Sequence, residues 1–517
     1  MKYPLGIQTF SKIIEGKMLY IDKTAILYDL LQQGSVYFLS RPRRFGKSLL
    51  ITTLEALFSG QKALFNGLAI ADTDYDFTAY PVIKMEFTKV QVQQADDFKK
   101  YIIAVTNKYA EQYDIQLDLN SYEMRFDELV SKLHKKSGKN VVLLIDEYDK
   151  PILSNLNKPA LADVKEVMNA FYSVVKSLDE SLQFVFITGV SKFAKVSVFS
   201  GMNNLSDISM DSDYATLCGI TQQELESYFA DAIDDLVVRE GDAEPLKRTQ
   251  MLEKIKYWYN GYCFEEDAPS VYNPYSLLSL FSKKKFKNYW FTTATPTFLL
   301  NLLQDKQYDL RDLSQFAIGE SAFAACEPEE MDVLSLLVQT GYLSIKGYND
   351  PLYVLDFPNY EVKRSFYDSV AARYAHVNTG LGQTYTHDLC QYLNIGNLDG
   401  FFKTLQKFFA NIPYDIAINQ EKYYQSLFYA IFTLLGLTID AEVRTNVGRI
   451  DCVLQTNDVI YIIEFKLNDS KEAALKQIED KQYAQKYQNS GKDIVLLGVE
   501  FDQDERNIGE FIRLDLT

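Results

Sequence analysis

The sequence predicts an α/β protein with three successive parts, and three observations support this prediction. Over residues 1–220, short apolar segments alternate with helical segments, which is typical of a parallel sheet covered by helices on both faces. From about residue 221 to residue 400 the pattern is mainly helical. Residues 401–517 return to mixed structure in the order αβββαβ. We therefore expect domains at 1–220, 221–400 and 401–517, within the roughly three or four domains typical of a chain of this length.

The amino-acid composition limits the class of protein. The chain has 53 Lys and Arg against 70 Asp and Glu, a net charge of −17. Any contact with nucleic acid therefore requires a local basic patch or a bound metal ion. Five widely spaced cysteines and three histidines predict neither a zinc site nor a disulfide framework, and they favour a reducing compartment. The longest apolar runs are strand-sized. We expect a cytoplasmic protein with no targeting segment and no membrane partner.

The first 220 residues supply the elements of the expected parallel sheet. A helix is predicted near Thr24–Gln33, then a strand at Val36–Leu39, a loop, and a helix that begins near Lys47. The remaining elements are three strands that alternate with two helices: strands at 80–87, Asn140–Ile145 and Leu182–Gly189, and helices at 121–136 and 161–178.

The loop after the first strand carries a phosphate-binding pattern. The segment Val36–Leu50 reads VYFLSRPRRFGKSLL, and its Gly46, Lys47 and Ser48 open a helix. At such a helix start, backbone N–H groups and the helix dipole favour an anion. We expect Lys47 to reach the β- and γ-phosphates of ATP, and the Ser48 hydroxyl to ligate Mg²⁺. An ordinary strand–loop–helix with a basic loop is the alternative explanation.

This loop departs from the usual phosphate-binding pattern at its first position, where Arg41 stands in place of a glycine. Arg41, Arg43 and Arg44 give the loop three positive charges, which we expect to offset the missing glycine. Arg43 and Arg44 are therefore counted among the nucleotide-binding residues. Whether they act on phosphate or only fold the loop stays open.

Two acids follow the strongly apolar strand Val141–Ile145. They are Asp146 and Glu147. We expect Asp146 to hold Mg²⁺ and Glu147 to orient and deprotonate the attacking water. A polar residue at the end of the next strand, Thr188 or Ser191, is a candidate sensor of the γ-phosphate, and we assign Ser191 to the nucleotide site. Polar residues that simply end a strand are the alternative.

The middle and C-terminal parts contain fewer motifs. A helix over 331–340 and strands near Tyr342–Lys346 and Leu352–Leu355 resemble a winged-helix unit. The C-terminal elements are predicted as one helix that stops at Gly436, three strands, a long helix and a last strand: Glu421–Leu435, Ala441–Thr445, Ile450–Gln455, Val459–Lys466, Lys471–Asn489 and Ile494–Val499.

The hairpin Ile450–Lys466 predicts a metal site. If Asn457-Asp458 forms a two-residue turn, the register places Asp451 opposite Glu464. Strand alternation puts Glu464 and Lys466 on the same face. Carboxylates are preferred ligands of Mg²⁺, which polarises a phosphodiester and activates water. We expect Lys466 to position or deprotonate that water, or to stabilise the developing charge. A surface salt-bridge triad is the alternative, although an acid inside so apolar a strand requires a partner.

Two helical residues are weaker candidates for the same site. Glu421 opens the preceding helix and is expected to add a metal ligand. Gln477, on the following helix, is expected to orient the site or contact nucleic acid. A helix-opening Glu that only favours the helix dipole, and a solvated Gln, are the alternatives.

Several motifs of residues 1–300 resemble the AAA-ATPase-like family of bacterial proteins. They are RPRRFGKS, YIDKT (Tyr20–Thr24), LLIDEYDKP (Leu143–Pro151), ITGVSKF (Ile187–Phe193), WYNGYCF (Trp258–Phe264) and VYNPYSLL (Val271–Leu278). Because RPRRFGKS is common in that family, Arg41 resembles a family trait. The resemblance implies a P-loop ATPase fold.

The segments GRIDCVL (Gly448–Leu454) and IEFK (Ile463–Lys466) resemble the PD-(D/E)XK nuclease superfamily over about residues 405–510. The superfamily's usual proline before the aspartate is Ile450 here, which is not a ligand position. The resemblance implies a restriction-endonuclease-like domain with Asp451 and Glu464 as metal ligands and Lys466 as the catalytic lysine.

The leading hypothesis is an ATPase fused to a Mg²⁺-dependent nuclease, with ATP and Mg²⁺ as cofactors. Its expected substrate is nucleic acid, with DNA favoured, and a homo-oligomer is a further expectation. The alternative is an ATP-switched regulatory or scaffold protein whose nuclease-like domain binds nucleic acid without cutting it.

Overall fold

The structure is a computed structural model. It describes residues 2–516 except 157, 193–197, 200–201, 241–246, 291–298, 301, 304–307, 309–315, 324–332, 413–419, 439–441, 446–450, 457, 468 and 503–506. Inside some elements only the backbone is described, including 420–425, 442–445 and 451. The chain forms two compact units: Met1–Ala294 with Ala317–Asn359, and Thr295–Phe316 with Tyr360–Thr517. The three domains at 1–220, 221–400 and 401–517 stay a prediction.

A five-stranded, all-parallel sheet forms the centre of the first unit, in the order β2-β3-β4-β1-β5. Its strands are β1 Val36–Ser40, β2 Val82–Glu86, β3 Val141–Asp146, β4 Leu182–Gly189 and β5 Ser206–Asp207. Every residue of β1 and β3 is buried, as expected for strands covered on both faces. The predicted parallel sheet is confirmed.

In the described part of residues 1–220, the helices that accompany this sheet are α1 Phe10–Glu15, α2 Thr24–Gln33, α3 Lys47–Phe58, α4 Ala95–Gln112, α5 Tyr122–Ser137, α6 Lys150–Leu153 and α7 Leu161–Ser177. Helix α3 packs on β2, β3 and β4, whereas α4, α5 and α7 pack on one another. Because β-α-β crossovers are right-handed, α3 and the α4–α5–α7 group cover opposite faces. Helix α4 was missing from the sequence prediction.

Tyrosines of α4 and the residue after it cover the exposed edge of β2. The Tyr109 hydroxyl accepts from the Lys84 backbone N–H (2.8 Å) and donates to the Lys84 carbonyl (3.2 Å). Tyr101 makes the same pair of bonds with Glu86 (2.8 and 2.9 Å), and the Tyr113 hydroxyl accepts from the Val82 N–H (3.3 Å). These side chains occupy backbone groups that an edge strand otherwise offers to another strand.

We predict that Tyr109→Phe exposes the edge of β2 to solvent exchange. The Lys84 N–H and carbonyl both lose their side-chain partner, a cost of about 1–3 kcal/mol, so exchange of the β2 amides should rise roughly 5- to 150-fold. Hydrogen exchange followed by mass spectrometry measures this. Tyr113→Phe, which removes one longer bond, is the control with a smaller effect. Equal exchange in wild type and Tyr109→Phe would contradict the assigned role.

The rest of the first unit is helical, with one small sheet. Its helices are α8 Gln222–Tyr228, α9 Ala230–Glu240, α10 Arg248–Tyr259, α11 Pro274–Lys283 and α12 Val333–Thr340. The sheet has the order β6-β8-β7, with β6 Phe316–Gly319, β7 Ser344–Asn349 and β8 Leu352–Asp356. The predicted helix and hairpin are therefore present, and β6 adds a third strand.

The second unit contains a mixed five-stranded sheet in the order β13-β12-β11-β10-β9. Its strands are β9 Glu442–Thr445, β10 Asp451–Gln455, β11 Val459–Leu467, β12 Asp493–Asp502 and β13 Asn507–Leu516. Its helices are α13 Tyr360–Tyr374, α14 Thr379–Asn394, α15 Leu398–Phe409, α16 Gln420–Thr438 and α17 Lys471–Asp480. The order αβββαβ is confirmed, and β13 extends it.

Two predicted helix ends in this unit are wrong. Helix α16 continues through Gly436 to Thr438, because buried residues such as Leu434 and Leu435 outweigh the roughly 1 kcal/mol that a helical glycine costs. Helix α17 ends at Asp480 rather than Asn489, because Gln482 adopts a left-handed backbone with φ of 53°. Among the described residues, no helix is both long and apolar enough to span a bilayer.

Candidate functional sites

The loop between β1 and α3 has the shape of a phosphate cradle. Gly46, the residue before α3, has φ of 92°, and Arg44 has φ of 68°. A Cβ at position 46 would meet no atom within 4 Å, so the glycine serves the left-handed backbone rather than a tight contact. The turn leaves the first N–H groups of α3 at the start of the helix, where they favour an anion.

Lys47 folds back over this loop. Its Nζ donates to the carbonyls of Arg41 (2.8 Å) and Pro42 (3.0 Å), and the residue is 5% exposed. Burial lowers the pKa of Lys47, while Glu147 and Asp146 act in the opposite direction. The ammonium is thus held beside the loop and close enough to these acids to feel their charge.

The acids after β3 have different surroundings. Asp146 Oδ1 accepts a 2.7 Å hydrogen bond from the Thr188 hydroxyl, which fixes the carboxylate between two strand ends. Glu147 has a left-handed backbone with φ of 52°. Burial raises the pKa of Glu147, and Lys47 opposes that rise. A raised carboxyl pKa suits a general base, because the base then accepts a proton more readily.

Asp149 is a buried acid that the sequence reasoning missed. Its Oδ2 accepts from the backbone N–H groups of Val190 (3.0 Å) and Ser191 (2.9 Å) and from the Ser191 hydroxyl (2.8 Å). Burial raises the pKa of Asp149, against these hydrogen bonds. The carboxylate therefore holds the turn after β4 against the segment after β3. Asp149 is part of the motif LLIDEYDKP, in which it follows Asp146 closely. That position, just beyond the end of a buried strand, was the feature of the sequence that could have identified it as a buried acid.

A cleft of about 390 Å³ opens above the loop. Six of the predicted nucleotide-site residues line it: Arg43, Arg44, Gly46, Lys47, Ser48 and Glu147. Lys150 adds a further positive charge to its wall, and the Arg44 guanidinium lies 5.0 Å from the centre of the Tyr275 ring. Asp146 and Ser191 are not part of this lining; the Ser191 hydroxyl is engaged with Asp149 instead.

Arg41 does not add charge to the cleft, so that part of the prediction is wrong. The residue is 1% exposed, and its guanidinium donates to the carbonyls of Ser40 (2.9 Å), Ser209 (2.8 Å) and Tyr214 (3.2 Å). It also lies 4.0 Å from the Phe264 ring centre. Burial lowers the pKa of Arg41 to about 10. Arg41 therefore connects the loop to the segment that contains Ser209 and Tyr214.

An apolar pocket of about 100 Å³ adjoins the cleft and shares Pro4, Gly46, Leu49, Pro274 and Leu278 with it. Cys218 forms part of its wall, and burial raises the pKa of that thiol, which favours its neutral form. The YIDKT motif frames the pocket. Asp22 accepts from the Thr24 N–H and hydroxyl, and Lys23 pairs with Glu224.

The C-terminal hairpin has the predicted register. The Thr456 N–H donates to the Val459 carbonyl (2.8 Å), and Asp451 lies directly opposite Glu464. Directly opposite residues lie on the same face of a sheet. The side chains of Asp451 and Glu421 lie outside the described residues, so the structure gives only their backbone positions, in β10 and in the first turn of α16.

Glu464 is a buried acid with one oxygen unused. The residue is 1% exposed; its Oε1 accepts from Lys466 Nζ (3.1 Å), and Lys466 Nζ also donates to Gln477 Oε1. Its Oε2 is buried with no hydrogen-bond partner among the described residues. An orphaned carboxylate oxygen in such a place is costly and needs an explanation, of which an unseen ion is one. The donor set therefore fits a divalent cation, although the described side chains alone contain no cluster of three acidic, His or Cys ligands.

These two sites define the class of protein: a P-loop ATPase-like unit joined to a PD-(D/E)XK nuclease-like domain. Family models agree, because residues 4–199 match the AAA-ATPase-like family, described as predicted AAA-ATPase, and residues 419–511 match the PD-(D/E)XK nuclease superfamily. A protein of Azotobacter chroococcum mcd 1, described as an uncharacterized protein in the vnfD 5′ region, is 40% identical over 529 residues, covering 99% of this chain and 98% of that protein. The chain belongs to the family of bacterial AAA-ATPase-like proteins with a C-terminal PD-(D/E)XK nuclease superfamily domain.

We predict that Asp149→Ala destabilises the first unit more than Ser191→Ala does. The first change leaves two buried N–H groups without an acceptor, a loss of about 2–6 kcal/mol in the free energy of unfolding, whereas the second removes one hydroxyl bond worth about 1 kcal/mol. Urea unfolding of the full chain measures both. Equal losses would show that Asp149 does not hold the turn after β4.

Proposed function

We propose that this protein binds and hydrolyses ATP and that its C-terminal domain is a Mg²⁺-dependent nuclease acting on nucleic-acid phosphodiesters. The observation that carries the nuclease assignment is the buried Oε2 of Glu464, which no described residue bonds, on a residue opposite Asp451 in the hairpin register. The domain limits and a homo-oligomeric state remain part of the proposal.

The first unit supplies a site of suitable shape for a nucleoside triphosphate. The cleft carries positive charge from Arg43, Arg44, Lys47 and Lys150, which suits a polyphosphate. The adjoining apolar pocket suits a flat base and sugar edge. Two neighbouring compartments of opposite character favour a nucleotide over inorganic phosphate alone.

Within that site, each side chain has a distinct task. Ser48 and Asp146 would hold Mg²⁺, which neutralises charge on the phosphates. Lys47 would bind the phosphate oxygens once it exchanges its carbonyl partners for them. Glu147 would accept the proton of the attacking water, and Asp149 would keep the segment that carries Glu147 in register with the turn at Ser191.

In the C-terminal domain, Glu464 and Asp451 would hold Mg²⁺, with Glu421 as a further ligand. The bound ion would polarise the phosphodiester and lower the pKa of a water. Lys466 is held between Glu464 and Gln477, so its ammonium is fixed in orientation. It would place the nucleophile and stabilise the negative charge that develops on the phosphate.

We predict that Glu147→Gln keeps nucleotide binding and lowers ATP hydrolysis by about 10²- to 10⁴-fold, because the general base is lost. Phosphate release and equilibrium ATP binding are the measurements. Because burial raises the pKa of Glu147, the wild-type rate should fall on acidification with a midpoint above the ordinary value of 4.5. Unchanged hydrolysis in Glu147→Gln would place the base elsewhere.

A companion experiment tests whether the base of ATP enters the apolar pocket. Leu278 lines both compartments, so Leu278→Trp should fill the pocket and weaken ATP binding while inorganic triphosphate still binds the cleft. Lys47→Ala should weaken both ligands. If Leu278→Trp binds ATP like the wild type, the base does not enter this pocket.

We predict that Lys466→Ala and Glu464→Gln lower Mg²⁺- or Mn²⁺-dependent cleavage of labelled DNA or RNA by at least about 10²-fold. Lys481→Ala, an exposed lysine just after α17, is the charge-matched control and should cleave like the wild type. A second readout is the Mn²⁺-dependent rise in melting temperature, which Glu464→Gln should reduce. A wild type that binds nucleic acid yet cuts none would favour the regulatory or scaffold alternative.

A further inference from the structure

A run of lysines follows helix α11. Residues 283–287 read KKKFK, four lysines in five residues of a chain whose net charge is −17. Lys283, Lys285 and Lys287 are exposed, and among the described residues no ion pair involves them. Lys284, in contrast, pairs with Asp235 at 2.6 Å. The run therefore presents three positive charges to solvent.

Aromatic contacts hold this run in place. Phe286, in the middle of it, stacks on Tyr259 with 6.0 Å between ring centres and 6° between ring planes, and lies 5.6 Å from Trp258. The Tyr259 hydroxyl accepts from the Lys287 N–H (3.0 Å) and donates to the Lys287 carbonyl (2.9 Å). The lysines thus extend from a backbone fixed on α10, which reduces the conformational entropy lost when a ligand binds.

Helix α10 adds a positive charge and an aromatic ring to the same surface. Lys254 Nζ lies 4.6 Å from the Phe286 ring centre. Tyr257, one turn further along the helix and so next to Lys254, is 53% exposed. We call the surface formed by Lys254, Tyr257, Lys283, Lys285 and Lys287 the lysine–tyrosine patch.

The helix dipole explains only part of this charge. Cations in the last turn of a helix are stabilised by its C-terminal carbonyls, which accounts for Lys283 and Lys284 at the end of α11. Lys285 and Lys287 lie beyond the helix, and an exposed tyrosine gains nothing from the dipole. Exposed lysines together with an exposed aromatic ring on the neighbouring helix are a combination suited to a nucleic-acid strand, with phosphates on the ammonium groups and a base on the ring.

We propose that the lysine–tyrosine patch binds the phosphodiester backbone of a nucleic-acid strand, with Tyr257 stacking on an unpaired base. This inference rests on the proposed nuclease function for the identity of the ligand. It places nucleic-acid affinity in the ATPase-like unit. Residues 441–500 of the nuclease-like domain, by contrast, hold 8 Lys and Arg against 10 Asp and Glu.

The test measures binding without cleavage. Full-length protein is titrated against labelled single-stranded and duplex 30-nucleotide DNA and RNA in EDTA, and fluorescence anisotropy is read at several salt concentrations. The triple change Lys283→Gln, Lys285→Gln and Lys287→Gln should weaken binding at least about tenfold and lower the slope of log K against log salt by about 2–3. Tyr257→Ala should weaken single-strand binding more than duplex binding, and Tyr257→Phe should restore it.

The control carries the same change in net charge elsewhere. Lys100, Lys108 and Lys135 are exposed on α4 and α5 of the same unit, and their change to Gln should leave the affinity and the salt slope near those of the wild type. Thermal unfolding of all variants confirms that they fold. If the triple variant were unfolded, the pair Lys285→Gln and Lys287→Gln would replace it, with an expected slope change of about 2.

Three results would overturn the proposal: equal losses in the patch and control variants, no wild-type binding to any of the four nucleic acids at low salt, or patch-dependent binding to vesicles containing phosphatidylserine without binding to nucleic acid. Failure of the nuclease assignment gives a different result, since a wild type that binds through the patch but never cleaves refutes only the nuclease.

Discussion

The buried guanidinium of Arg41 makes the interactions on which the loop between β1 and α3 depends. A charge that is 1% exposed must be paired inside the protein, and Arg41 obtains its partners from three backbone carbonyls, two of them at Ser209 and Tyr214. Phe45, in the same loop, is also held by a contact outside the loop, because its ring packs against that of Tyr262 with 4.8 Å between ring centres. These buried contacts stabilise the loop although its first position is not a glycine. The side of the loop that faces the cleft takes no part in them, and it is the side proposed to bind phosphate.

Two equally buried acids, Asp149 and Glu464, differ in how their oxygens are bonded. Asp149 Oδ2 accepts three hydrogen bonds from the turn at Val190 and Ser191, so this acid stabilises the fold. Glu464 is equally buried, yet among the described residues only its Oε1 has a hydrogen-bond partner. Burying an acid without satisfying it destabilises the domain unless a ligand completes the set. The hydrogen bonds of Asp149 account for the burial of its carboxylate, whereas no described residue accounts for the burial of Glu464 Oε2. The proposed metal site therefore rests on Glu464.

Sequence patterns predicted correctly those features of the fold that depend on contacts between residues close together in the chain. Strand β4 has the bounds predicted for it, Leu182–Gly189, because it is a continuous apolar run, and the pairing of Asp451 with Glu464 followed from the turn between their strands. Strand β13 was missed because its apolar residues are interspersed with charges, and its strand conformation depends on pairing with β12. The role of Arg41 was misjudged because its partners lie 168 and 173 residues away, where no spacing rule applies.

Helix α11 joins the proposed nucleotide site to the lysine–tyrosine patch. Its first two turns contribute Pro274, Tyr275 and Leu278 to the cleft above the loop, and its last residue, Lys283, begins the lysine run. A helix of ten residues is about 15 Å long and stiff on that scale, so a displacement of Tyr275 or Leu278 by a bound nucleotide would be carried to Lys283. The proposed nucleotide binding and the proposed strand binding would therefore act on one rigid element. Coupling between them requires only that α11 have two positions, each favoured by a different state of the cleft.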